Sequence, residues 1–205
     1  MVSTYYDMSK ISNHKLVLLC LLTGIIIPII LIGFNNNNNP VVFGSLFGGE
    51  SLTMLTYTDN KHNFEIQYPN NWERSVKLNN EVIFIAPKDV NSVSNPAGLV
   101  VKTIPTPGKN ISTVSAAEEL ISQIQSEHKD FKLESNTPTT IDGKKASKII
   151  FTATDSKLQN RKAMQIVISN YESLYVLTYK ASTDKYGSYE NTANQMINSF
   201  KFLPN

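Results

Sequence analysis

The sequence predicts an α+β layered domain carried behind one N-terminal hydrophobic helix. Three observations predict it: an apolar run near the N-terminus, a series of short alternating stretches broken by turn residues, and two amphipathic stripes far apart in the chain. Of the 205 residues, 41% are hydrophobic and 18% charged, enough apolar material for one ordinary core.

From Leu16 to Ile32 every residue is apolar or small except Thr23. A run of about 17 residues lies at the short end of what crosses a bilayer core, and a membrane tolerates Pro28 within it. Lys10, His14 and Lys15 precede the run, whereas no charge follows it until Glu50. The positive-inside rule leaves the N-terminus in the cytoplasm and places the rest outside, at the cell membrane. The expected organisation is a cytoplasmic segment at 1–15, a transmembrane helix at 16–34, an Asn/Gly-rich tether at 35–56 and an extracytoplasmic domain at 57–205. A cleaved signal peptide is the competing reading of the same run, although the run is long for one and no A-x-A site follows. The sole cysteine, Cys20, sits inside it, so the domain has neither disulfide nor thiol chemistry. Leu19 and Leu21 beside Cys20 argue against lipidation. Asn35 to Asn39, Pro40 and Gly44 read as tether, with Val41 to Phe43, Leu46 and Phe47 able to rest on the membrane interface, the domain or a partner.

Phe64, Ile66 and Tyr68 alternate with Glu65 and Gln67, the period of a half-buried strand, and Pro69-Asn70-Asn71 ends it. Val82 to Ala86 and Gly98 to Ile104 are further strands, each stopped by proline, and Asp89 to Pro96 is a polar loop. Ser115 with Glu118 reads as the capping box of a first helix, with Ala117, Leu120, Ile121 and Ile124 as its stripe. His128 and Lys129 fit its last turn, where the dipole favours cations. Then come Phe131 to Ser135, Thr139 to Ile141, a tight Asp142-Gly143 turn and Ala146 to Thr154. Turns at Gln159-Asn160 and Asn170 to Ser173 separate Ala163 to Ser169 from Leu174 to Lys180, completing an antiparallel meander. A last helix spans about Tyr186 to Ser199, with Tyr189, Ala193, Met196, Ile197 and Phe200 on one face.

A strand closing in Tyr68-Pro69 with Trp72 after it, and a terminal helix leading into Asn198-Ser199-Phe200-Lys201-Phe202, make the chain resemble the PsbP family. The name-giving members of that family are extrinsic lumenal subunits of photosystem II. The resemblance covers about residues 57 to 205. It implies an αβα sandwich with a central antiparallel sheet flanked by helices, no enzymatic activity, no cofactor, and a role in binding or assembling membrane complexes. An anchor and Asn-rich tether stand in place of a plastid transit peptide, so the resemblance carries the fold and not the photosystem role.

The residues name few sites. His62 and Asp59 are candidate metal ligands beside the first strand, and two ligands in a solvated loop fall short of a coordination sphere. His128 has its helix-end explanation. No G-x-S-x-G, H-E-x-x-H, P-loop or G-x-G-x-x-G occurs, so no catalytic residue is assigned. Trp72 reads as a core plug. Asn110-Ile111-Ser112 is an N-glycosylation sequon, conditional on export and a glycosylating host. The formal charge of +2 leaves no nucleic-acid footprint. Lys144, Lys145 and Lys148, and Arg161 with Lys162, read as solvated strand ends beside Asp142 and Asp155. The expectation is a noncatalytic accessory domain with an unidentified protein partner, the alternative a small-molecule or metal-binding module at the cell surface. Nothing in the sequence indicates an oligomer.

Overall fold

The computed structural model describes residues 53–88, 96–154 and 160–204, all within one unit, Gly33–Asn205. The expected transmembrane segment at 16–34, most of the tether and the loop from Asp89 lie outside the described residues. Among the described residues no helix is long and apolar enough to cross a membrane.

The elements run β1 (Met54–Asp59), β2 (Phe64–Pro69), β3 (Glu73–Lys77), β4 (Glu81–Ile85), β5 (Gly98–Pro105), α1 (Thr113–Glu127), β6 (Lys132–Ile141), β7 (Lys144–Thr154), β8 (Asn160–Asn170), β9 (Ser173–Ser182), α2 (Tyr186–Asn198) and β10 (Lys201–Phe202). They form a seven-stranded sheet in the order β3-β4-β5-β9-β8-β7-β6 and a three-stranded sheet in the order β1-β2-β10. Every neighbouring pair is antiparallel. The meander from β6 to β9 is joined to β3, β4 and β5 where β9 pairs with the full length of β5.

Side chains of a strand alternate between faces, so each central strand feeds two cores. Leu99 and Val101 of β5, Leu177 and Tyr179 of β9, and Met164 and Ile166 of β8 join Phe64 and Ile66 of β2 and Met196 and Ile197 of α2 in one buried cluster. On the opposite face Ile149, Val167 and Val176 are buried, and α1 packs on β7 and β8 with Ala116, Ala117, Leu120 and Ile124 inward. The fold is thus α+β with antiparallel sheets, as the pattern predicts. It is dominated by sheet, however, and is not a sandwich with a helical layer on each side. The β1-β2-β10 sheet shares with α2 the covering of one face of the large sheet, so that layer is part strand and part helix.

The local differences have causes of their own. β1 begins at Met54, inside the stretch read as tether; its only well-buried side chain is Tyr57, so no alternation announces the strand. β3 is an edge strand with exposed Glu73 and Arg74, so it too lacks an apolar signal. β6 is one strand rather than two: it runs through Pro138, which an edge tolerates, and carries a bulge between Leu133 and Ser135. The N-cap of α1 is Ser112, not Ser115, whose backbone N–H it accepts at 3.0 Å. α1 ends at Glu127, so His128 is its C-cap rather than part of the last turn, and Lys129 lies beyond. Arg161 is no solvated strand end: it is 5% exposed on β8.

Candidate functional site

One end of the domain gathers the β1–β2 turn, the β8–β9 turn, the loop after β5 and Leu203 behind β10. The backbone joins them: the Leu203 N–H donates to the Asn63 carbonyl at 2.9 Å, and the Thr106 N–H to the Glu172 carbonyl at 2.6 Å.

The structure brings Asp59 and His62 together. Asp59 Oδ1 accepts the His62 backbone N–H at 2.9 Å, and Oδ2 lies 2.9 Å from His62 Nδ1. The first contact closes the turn by a side chain capping a nearby backbone donor. The two side chains are only 12% and 14% exposed. The Tyr57 hydroxyl donates to Asp59 Oδ2 at 3.3 Å, and the Tyr175 hydroxyl to the His62 carbonyl at 2.8 Å. Burial, reinforced by the Asp59 charge, pushes the Tyr57 phenol up to about 12 and raises Tyr175 as well. Both phenols stay neutral donors near pH 7, suited to holding the turn and unsuited to moving protons. Among the described residues no group of three or more His, Cys, Asp or Glu converges as a metal centre requires.

Beside this pair opens a groove of about 390 Å³, lined by Asn63, Asn170, Tyr171, Glu172, Tyr175 and Leu203 among others. Its chemistry is mixed: carboxamides, one carboxylate and aromatic rings. Tyr171 stands out. Asn170 pairs with Ser173 across a two-residue hairpin loop, and Tyr171, first of the two loop residues, has φ of 52°. A loop with positive φ at that residue alone favours glycine, because a side chain there crowds its own backbone. Tyr171 nevertheless stands 75% exposed, with the Lys144 ammonium 5.6 Å from its ring centroid. Glu172 Oε1 accepts the Gly108 N–H at 2.8 Å, tying the loop after β5 to this turn. Sequence reasoning placed a turn at Asn170 to Ser173 and missed the tyrosine. The available signal was a bulky ring where turn chemistry asks for glycine.

The remaining candidates are dispersed. Asn110 is exposed on the loop before α1, while Ser112 of the same sequon caps the helix and also donates to Ser115 Oγ at 2.9 Å. Trp72 is 4% exposed and meets Tyr189 edge-on at 5.9 Å, the core plug expected. The His128 backbone N–H closes α1 on the Ile124 carbonyl at 3.0 Å.

Cyanobacterial PsbP from Synechocystis is 16% identical with a TM-score of 0.54, over 78% of this chain and 98% of that one. A protein of unknown function from Pseudomonas aeruginosa is 14% identical with a TM-score of 0.55, over 74% of this chain and 99% of that one. LpqN of Mycobacterium tuberculosis, a protein involved in cell envelope biogenesis, is 12% identical with a TM-score of 0.50, over 81% of this chain and 90% of that one. At these identities the likeness is one of fold. A search of curated proteins found no match. The family model for PsbP-like proteins matches residues 47–202, most of the chain, and the chain belongs to that family.

Proposed function

We propose that the protein is a noncatalytic, membrane-anchored accessory domain, held outside the cytoplasm by residues 16–34, that docks on a membrane or cell-envelope protein complex through the groove end. The observation that carries this is Tyr171, an exposed ring kept where the backbone favours glycine. An exposed aromatic beside a cation is the usual chemistry of an interface anchor. Membership of a family whose members are generally noncatalytic supports it, and so does fold likeness to a protein of cell envelope biogenesis.

The test is affinity purification of the tagged full chain from detergent-solubilised membranes, beside Tyr171→Gly. Glycine suits the backbone there, so the variant is expected within about 1 kcal/mol of the parent in stability. A partner recovered in stoichiometric amount with the parent and lost with Tyr171→Gly is the expected result. Recovery of no such partner, or equal recovery with the variant, overturns the proposal.

A second reading, a ligand- or metal-binding module at the cell surface, is favoured by the Asp59–His62 pair, whose neighbours Asn63 and Tyr175 line the groove. It predicts zinc retained through dialysis and released on His62→Ala. Equal, weak zinc uptake by both proteins removes it.

A further inference from the structure

The two edges of the large sheet are built differently. β6 carries Pro138 and a bulge, both of which obstruct a further strand. β3, at the other edge, carries neither, and among the described residues no strand lies beside it. Val76 on β3 and Leu78 just after it are 60% and fully exposed, respectively. An uncovered strand flanked by exposed aliphatic side chains is a template for pairing.

Its sequence, Glu73-Arg74-Ser75-Val76-Lys77, is complementary to itself when reversed. In an antiparallel pair centred on Ser75, Glu73 of one chain faces Lys77 of the other twice, and the Arg74 stem covers Val76 twice. The charge order of the sheet agrees. Lys77, Glu81 and Lys102 stand opposite one another across β3, β4 and β5, an alternating row on one face. A neighbouring Glu73 extends that row with the next sign.

We propose that the partner of the β3 edge is a second copy of this chain, paired antiparallel about Ser75 to join two seven-stranded sheets. A five-residue edge buries less than a standard interface, so the dimer is weak in free solution, with Kd on the order of 10–100 μM. Attachment to one membrane raises its effective concentration.

The test uses the full chain in detergent. Residues directly opposite in an antiparallel pair have Cα atoms about 4.5–5.5 Å apart, within reach of a disulfide. Ser75→Cys in a Cys20→Ser background is therefore expected to give a covalent dimer under mild oxidation. Adding Glu73→Lys sets like charges against each other at both ends of the pair, the new ammonium facing Lys77, and is expected to cut cross-linking several-fold. The swap Glu73→Lys/Lys77→Glu restores it, as does mixing the Glu73→Lys chain with a Lys77→Glu chain, each of which cross-links poorly alone. Circular dichroism confirms that each variant is folded. No cross-link at position 75, or cross-linking indifferent to these charges, overturns the proposal.

Discussion

Glu81 and Lys102 face each other across β4 and β5, with Nζ 3.0 Å from Oε1, and the two residues are 6% and 8% exposed. At an effective dielectric of about 20 the attraction at this separation is about 5.5 kcal/mol. Withdrawing two charges from water costs several kcal/mol each, so the pair adds little net stability. Losing one member is different, because the other stays buried and uncompensated. Glu81→Leu strands the Lys102 ammonium and is expected to cost about 3–5 kcal/mol. Lys102→Met costs less, toward about 3 kcal/mol, since Lys77 stands opposite Glu81 on the other side and relieves it. Glu81→Leu/Lys102→Met replaces the pair by apolar volume and is expected within about 1 kcal/mol of the parent, or above it. Urea unfolding reads the four proteins, provided the m-value is constant. Single substitutions costing under about 1 kcal/mol each, or a double variant as unstable as the sum of the singles, refute the reasoning.

Gly98→Ala is expected to destabilise by about 1–3 kcal/mol, seen as a lower midpoint in the same assay, because the new Cβ meets the Phe84 carbonyl oxygen at 3.0 Å. Tyr57 is raised from 10.0 to about 12, and Tyr175, Tyr179 and Tyr186 are raised too, chiefly by burial. The fold thus prefers the protonated phenols: their contribution is whole below about pH 10 and is lost as pH rises through the folded values. Tyr57→Phe should flatten the fall in stability between about pH 10 and 12, and phenolate absorbance should show these rings ionising late. Secretion from a glycosylating host is expected to add one N-linked glycan, seen as a mass shift removed by endoglycosidase and absent in Asn110→Gln. An unmodified secreted chain would refute accessibility of that sequon.

Much of the fold was legible because it repeats one local rule. Phe64, Ile66 and Tyr68 alternate with Glu65 and Gln67, and Asp142-Gly143, with φ of 47° and 72°, is a turn that two residues specify by themselves. The tip bearing Tyr171 was legible as a turn only. Its importance lies in a φ value and an exposure, neither of which composition records. Asp59 and His62 were visible as neighbours in sequence, but their burial depends on Tyr175, more than a hundred residues later.

By itself the sequence determined the α+β class, the antiparallel meander, the two amphipathic helices and the family motif at Tyr68-Pro69 and Trp72, because each is written in periods of a few residues. The tertiary structure alone decided that β2 leaves the large sheet to pair with β1 and β10, that Arg161 is buried, and that β3 is an edge with Val76 exposed. Those outcomes depend on which strand finds which neighbour. A strand with weak alternation, such as β1 or β3, is chosen by the partners available to it rather than by its own side chains.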